Sequence, residues 1–264
     1  MATSLSTSAA HDLDGEGSWE GRVALVTGGG SGIGRATALM LAGRGAGVLV
    51  TGRRREALER TAALRPGIAI VPGDIGRPAD AARIIDETLE VRGRLDVLVN
   101  NAGVLAPTPL GTVDQEAAEA LWAVNVLGPV LLVQSGLSAL EQARGAVVNV
   151  SSSFAQKPGP GVSLYAASKA ALESLTRSWA VELAGRGIRV NAVAPGPTDT
   201  EALGRSGRSG QEIEQIKDRE RQRIPLGRRG EPEDVARWIV ALADPQASWV
   251  TGQVLGIDGG FSLT

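Results

Sequence analysis

Thr27-Gly28-Gly29-Gly30-Ser31-Gly32-Ile33-Gly34 follows the apolar run Val23-Ala24-Leu25-Val26 without a break and leads into the helix-forming stretch Ala36–Arg44. Strand, glycine-rich turn and helix in that order predict the first crossover of a parallel α/β sheet. Glycines let the backbone turn sharply and approach a pyrophosphate, which the free N–H groups and dipole of a helix start stabilise. The spacing Gly28-xxx-Gly32-x-Gly34 is wider than GxGxxG, and a glycine-rich loop alone is equally well a tight turn. Its place between the first strand and the first helix points to dinucleotide binding, with Gly28, Ser31, Gly32, Ile33 and Gly34 as the contacting residues.

Outward from this loop the same rhythm repeats. Val48–Val50, Ile68–Val71, Val97–Val99, Val147–Val150 and Ile188–Val190 are short apolar runs, most of them bounded by Gly, Asn or Pro. Helical stretches such as Ala79–Arg92 and Gln115–Leu140 separate them, and a seventh strand, Val254–Ile257, follows the helical stretch Pro232–Ala243. Continuously apolar strands alternating with helices predict one Rossmann-like domain, 21–264, whose seven-stranded, doubly wound parallel sheet is covered on both faces. The leader 1–20 reads as disordered. Thr198–Ile224 is polar and carries Gly204, Gly207 and Gly210, so it reads as a mobile insertion over the substrate end.

The end of the second strand bears on which dinucleotide is bound. An acidic residue there would bind the ribose hydroxyls of NAD, but the position falls at about Gly52 and is followed by Arg53-Arg54-Arg55. A guanidinium grips a 2′-phosphate bidentately. The reading favours NADP(H) through Arg53, with Arg35 or Arg54 assisting and NAD(H) as the alternative. A solvated basic helix start is the bland account of the same residues.

Composition removes other chemistries. With no cysteine there is no thiol nucleophile and no thiolate metal site, and the one histidine, His11, lies in the leader. A zinc alcohol dehydrogenase and a histidine-based dehydrogenase are both excluded, and no metal is expected. A net charge of −2 gives no reason to expect nucleic acid as a partner. The longest apolar window, Ala120–Val133, is interrupted by Asn125, Gly128 and Pro129, and the leader lacks the pattern of a secretory signal. A soluble cytoplasmic protein that does not bind membranes is expected.

Among the remaining acid–base groups, the single tyrosine lies in Tyr165-Ala166-Ala167-Ser168-Lys169, ahead of one of only three lysines. On a helix this spacing puts phenol and ammonium on one face, one turn apart. A fixed positive charge nearby would lower the phenol's ordinary value of about 10 and fit it to exchange a proton.

Several further motifs occur in order: Asp74-Ile75, Asn100-Asn101-Ala102-Gly103, Asn125, Ser151-Ser152, Pro195-Gly196 and Val250-Thr251-Gly252…Asp258-Gly259-Gly260. With the glycine loop and the Tyr–Lys pair, they make the chain resemble the short-chain dehydrogenase/reductase family in its single-domain form, from about Gly21 to the end. The resemblance implies that Asp74 accepts a hydrogen bond from the adenine amino group and that Ile75 lines the ring. It implies that Asn101, Ala102 and Gly103 lie beside the adenine ribose, and that Pro195, Gly196 and Thr198 join in holding the cofactor. Ser152 stands thirteen residues before Tyr165, the family's usual interval, and would polarise a substrate carbonyl. Ser151 and Ser153 are the neighbours that alternation along a strand turns elsewhere. Asn125 has a bland reading as the residue that satisfies a kink near Gly128-Pro129; in the family it anchors a water that relays protons to the lysine.

These residues imply a carbonyl reductase in which Ser152 holds the carbonyl oxygen, Tyr165 donates the proton and Lys169 binds the nicotinamide ribose. NAD-linked oxidation of a sugar or secondary alcohol is the alternative, and a non-catalytic dinucleotide sensor a remote one. Leu105, Phe154, Val162 and Pro197 would wall a mostly apolar pocket for a small-molecule carbonyl or alcohol. Basic residues of the insertion (Arg205, Arg208, Lys217, Arg219, Arg221) either bind an anionic tail or face water. The window Leu121–Val133 and the helix Leu164–Leu183, bearing Trp122 and Trp179, are more apolar than one sheet face requires, and family members of this size commonly pair these helices. A homotetramer, or failing that a dimer, is expected.

Overall fold

The computed structural model describes residues 19–106, 108–201 and 209–264. His11, Gly204, Arg205, Gly207 and Arg208 lie outside the described residues, as does the leader up to residue 18. The leader's expected boundary at residue 20 is too late, because Trp19 is fully buried against the underside of the core.

Seven parallel strands form one sheet in the order β3-β2-β1-β4-β5-β6-β7. They are β1 (Val23–Thr27), β2 (Gly47–Gly52), β3 (Ile68–Pro72), β4 (Val97–Asn100), β5 (Ala146–Val150), β6 (Arg189–Pro195) and β7 (Val254–Ile257). The apolar runs make strands and not helices because both their faces are covered. Ala24 and Val26 of β1 join one core layer with Leu41, Val48, Val50 and Ile239, while Val23 and Leu25 join the other with Ile84, Leu132 and Leu183. Each Val, Leu or Ile among them contributes about 1.5–3 kcal/mol by leaving water.

On the first face α1 (Gly32–Gly43) packs against α8 (Pro232–Ala243). On the second, α3 (Pro78–Arg92) packs against α5 (Gly128–Ala143), and α6 (Ser163–Ala184) runs alongside β5 and β6. The short helix α2 (Arg55–Ala63) covers the β2–β3 edge. Helix ends follow local chemistry. Glu231 and Asp234 form a reciprocal capping box that starts α8. At its other end the half-buried Arg189 guanidinium donates to the carbonyls of Leu242, Ala243 and Asp244.

The helical stretch expected over Gln115–Leu140 is continuous from Gln115 to Ala143. It consists of α4 (Gln115–Trp122), a π-helical turn Ala123–Leu127 and α5. Pro129 has no N–H to offer the carbonyl of Asn125, four residues earlier, so the ladder widens there instead of breaking. By length and composition alone this helix could cross a membrane. In this fold Leu121, Leu132, Val133 and Leu140 are buried on it. The insertion after β6 contains α7 (Gly210–Arg223), opened by a Ser209–Glu212 capping box and burying none of its residues.

Candidate active site

The strand order reverses direction between β1 and β4, so the crevice at their C-terminal ends is where an open α/β sheet binds its ligand. The glycine loop occupies it. A Cβ on Gly34 would come within 2.4 Å of the Gly28 carbonyl oxygen and 2.5 Å of Asn101 Nδ2, so the start of α1 packs directly on the loop backbone and on the Asn101 side chain from the β4 end. Gly32 has φ +50, and a Cβ there would meet Thr200 Cγ2 at 2.9 Å. Helix α1 has neither a side-chain cap on its first-turn N–H groups nor an acidic residue in that turn. A close-approach loop leading into an uncapped helix start fits the pyrophosphate of a dinucleotide.

Thr27 and Asn101 stitch the floor of the crevice. The backbone N–H groups of Asn101 and Ala102 both donate to Thr27 Oγ1 at 2.9 Å, and Asn101 Nδ2 donates to the Thr27 carbonyl at 2.8 Å. Asn101 thus fixes the β1–β4 junction with its side chain. Asp74, half-buried, accepts from the N–H of Gly76 at 3.0 Å. Ile75 is buried beneath Gly128. Arg53 and Arg54 are exposed and have no ion-pair partner among the described residues. Arg35 is committed, donating to the Gly30 carbonyl at 2.6 Å and pairing with Glu201 at 3.2 Å.

Beyond the crevice, β5 and α6 bring Ser152, Tyr165 and Lys169 together. Ser152 leaves β5 in an extended conformation and its Oγ accepts from the N–H of Phe154. The Tyr165 phenol lies beside the Ser152 side chain, and the Phe154 ring meets the Tyr165 ring edge-on at 6.3 Å. Burial raises the phenol's pKa, and the neighbouring Ser152 hydroxyl pulls it partly back. Lys169, only 3% exposed, donates to the Val150 carbonyl at 2.8 Å and sits 5.9 Å from the centre of the Tyr165 ring. Burial lowers its ammonium from 10.5 to about 8. The expectation of a phenol drawn down by Lys169 is therefore not met in this structure: desolvation dominates for both groups, and the amine is turned to a strand carbonyl.

Asn125 is fully buried in the π-helical turn. Its Oδ1 accepts from the Val104 N–H at 2.8 Å, and its Nδ2 donates to the Val104 carbonyl and to Ser168 Oγ, both at 3.0 Å. Ser168 in turn donates to the Tyr165 carbonyl. Asn125 therefore joins the strip after β4 to the second turn of α6, close to Lys169 across Gly103. The alternation argument for the neighbouring serines holds for Ser151, which points into the interior and donates to Glu173 at 2.9 Å and to the Lys169 carbonyl.

At the β6 end, Gly196 packs on Asp258 and the Thr198 hydroxyl donates to the Gly196 carbonyl. Thr200, absent from the sequence reading, is the threonine that lies against Gly32. Its signal was available, since Pro195-Gly196-Pro197-Thr198-Asp199-Thr200 leads straight from the strand over the crevice. The buried Arg229, the Arg35–Glu201 pair and the Ser151–Glu173 contact were also missed, and no local pattern marks them.

A family model described as enoyl-(acyl carrier protein) reductase matches residues 28–262. Among curated proteins, the 3-oxoacyl-[acyl-carrier-protein] reductase FabG of Thermotoga maritima is 39% identical, over 92% of this chain and 99% of its own. The glucose 1-dehydrogenase of Gluconobacter oxydans is 37% identical, over 92% of each. Among solved structures, a Caenorhabditis elegans short-chain dehydrogenase/reductase of unknown function with cofactor superposes with a TM-score of 0.89 at 34% identity, covering 94% of this chain and 97% of that one. The Brucella melitensis 3-ketoacyl-(acyl-carrier-protein) reductase complexed with NADH gives 0.84 at 34% identity, covering 92% and 99%. With sheet order, glycine loop and Tyr–Lys helix all in place, the chain belongs to the short-chain dehydrogenase/reductase family.

Proposed function

We propose that this oxidoreductase reduces a ketone to a secondary alcohol with NADP(H). The observation that carries the reading is the convergence of Ser152, at the end of β5, and the buried Tyr165 phenol, with the Lys169 ammonium 5.9 Å from the centre of the Tyr165 ring. The phenol's ordinary value of about 10 already leaves it protonated at neutral pH and burial raises it further, so Tyr165 is the proton donor and Ser152 Oγ, beside it, binds the oxygen that receives the proton. When bound, the nicotinamide supplies the hydride for reduction or accepts it for oxidation. Lys169 holds the nicotinamide ribose, and Asn125 anchors the route by which a proton returns. Gly28, Ser31, Gly32, Ile33 and Gly34 cradle the pyrophosphate, with Asp74, Ile75, Asn101, Ala102 and Gly103 around the adenosine and Pro195, Gly196 and Thr198 on the nicotinamide side.

Two exposed guanidinium groups just beyond β2, Arg53 first, without an ion-pair partner among the described residues, favour a 2′-phosphate. NAD(H) with alcohol oxidation is the second reading, favoured by the NADH in the Brucella relative and by the glucose dehydrogenase among the similar proteins. The pocket walls Leu105, Phe154, Val162 and Pro197 suit a medium or bulky apolar carbonyl compound. Recognition of an anionic tail by α7 is less favoured, because Lys217 pairs with Asp199 and Glu214, and Arg221 with Asp218 and Glu214. Thr198–Ile224 is proposed as the cover of the substrate end. Exposed Leu127 and Val181 on the two long helices support a homotetramer, with a dimer as fallback, and the same reading places the protein in the cytoplasm. The test is NADPH oxidation across a panel of ketones, aldehydes, quinones and 3-oxoacyl thioesters, with Tyr165→Phe as blank. Turnover present in the wild type and lower by roughly 10²–10⁴-fold in the variant is expected. A variant that keeps most of the wild-type rate sinks the acid assignment.

A further inference from the structure

We infer that Arg229 is a positioning residue for the dinucleotide: its buried guanidinium ties Gly196–Glu201 to α7 and so sets how that segment lies over the glycine loop. The inference rests on the reading of the loop as a dinucleotide site.

Arg229 is 4% exposed. Its Nε donates to Asp199 Oδ1 at 3.0 Å, its Nη2 to the Thr198 carbonyl at 2.7 Å, and its Nη1 meets the Glu220 carboxylate on α7. Lys217, also on α7, pairs with Asp199 at 3.2 Å. Burial raises the Asp199 carboxyl, but these two cations outweigh it and hold the group below the usual range. The backbones are zipped as well, the Asp199 N–H donating to the Gly230 carbonyl and the Gly230 N–H to the Pro197 carbonyl. A buried guanidinium is strongly destabilising without its acceptors, so this cluster leaves the segment little freedom.

The other end of the segment reaches the glycine loop. Thr200 packs on Gly32, and Glu201 pairs with Arg35, which also holds the Gly30 carbonyl. Gly196–Glu201 therefore spans from a buried ion cluster under α7 to the loop that opens α1. Because it follows β6, on the far side of the switch point from β2 and β3, it bears on the pyrophosphate and the half of the ligand over β4–β6. The adenine half, over β2 and β3, lies on the other side of the switch point, where the segment bears on it through the Arg35–Glu201 pair and the loop contact at Gly32 and not through the buried cluster. Displacement of this segment should weaken a whole dinucleotide far more than an adenine-half fragment, a pattern that general loss of stability would not produce.

The experiment is calorimetric titration of wild type, Arg229→Met and Glu220→Gln with two ligand pairs. These are NADPH with adenosine 2′,5′-bisphosphate, and NADH with adenosine 5′-monophosphate. Arg229→Met should bind the whole dinucleotide about tenfold more weakly while its fragment affinity stays within about twofold, and Glu220→Gln should show a smaller loss of the same kind. Equal weakening of dinucleotide and fragment, or no change in either, overturns the inference while the dinucleotide site stands. Wild type that binds neither dinucleotide overturns the site itself. Should Arg229→Met fail to fold, the ratio of the two losses in Glu220→Gln decides in the same way.

Discussion

The Lys169 ammonium donates to the Val150 carbonyl at 2.8 Å, two residues before Ser152 on the same strand end. The bond ties the fourth residue after Tyr165 to the strand that delivers Ser152, so α6 and β5 are held in register at the point where the proposed chemistry occurs. A second tie lies one turn further on, where Ser151 donates to the buried Glu173 carboxylate. Burial lowers the Lys169 ammonium to about 8, within the working range of an enzyme.

The first prediction concerns rate and pH. Lys169 carries its proton below about 8 and loses it above. With the charge gone, the phenol has no cation beside it and the ribose no ammonium donor. For reduction, kcat/KM, which reports groups of the free enzyme, is expected to fall as pH rises through about 8. A pH–rate profile flat from 6 to 10 (roughly two units to either side of that value) would remove Lys169 from the mechanism.

Stability follows the same group with a definite sign. The native ammonium value, about 8, lies below the ordinary 10.5, so between these values the unfolded chain binds more protons than the folded one. Stability from this group therefore rises with pH from about 8 to 10.5, and below pH 8 the fold carries the full burial penalty, about 3 kcal/mol. Lys169→Met should raise Tm most at pH 7 and below, with the gain shrinking as pH approaches 10.5. Differential scanning calorimetry of the two proteins across that range measures it, and a gain that grows with pH would contradict the assignment.

The sheet was legible because parallel strands are buried on both sides, which leaves unbroken apolar runs such as Val23–Val26 and Val97–Val99 in the sequence. The Tyr165–Lys169 pairing was legible because helical spacing alone puts the two on one face. Less legible were contacts that depend on how distant segments meet. Arg229 reaches Asp199 across thirty residues and reads as one basic residue among many. The π-helical turn left only an indirect trace, the Pro129 four residues after Asn125, which suggests a kink but not a widened turn within the helix. The direction of the Tyr165 shift was not legible, because spacing reveals proximity but not desolvation.

Cofactor choice gives the third prediction. Arg53 stands exposed beyond β2 without an ion-pair partner among the described residues, so its removal disturbs little of the protein. One lost charge-assisted contact to a phosphate corresponds to about 1.5–3 kcal/mol, or roughly 10–100-fold in affinity. Arg53→Ala is expected to lose that much affinity for NADPH and almost none for NADH, read by quenching of protein fluorescence. Equal affinities of the variant and the wild type for NADPH would turn the preference towards NAD(H).

The fourth prediction separates the two readings of Asn125. Its amide satisfies both the N–H and the carbonyl of Val104 and reaches Ser168, so its structural role alone is substantial. Asn125→Ala leaves the half-buried N–H and carbonyl of Val104 without their partner and opens a gap at a fully buried side chain, so it should destabilise the fold by about 1–2 kcal/mol. Asn125→Asp keeps the acceptor for the Val104 N–H but sets a carboxylate against the Val104 carbonyl, so it should be no more stable than the alanine variant. If Asn125 only shapes the π-helical turn, the activity that survives in folded Asn125→Ala should keep the wild-type pH profile. If it also anchors a proton route, kcat should fall about tenfold or more beyond the loss of folded protein, with a solvent isotope effect larger than that of the wild type. Stopped-flow reduction in H₂O and D₂O, on samples whose folded fraction is fixed by circular dichroism, distinguishes the two.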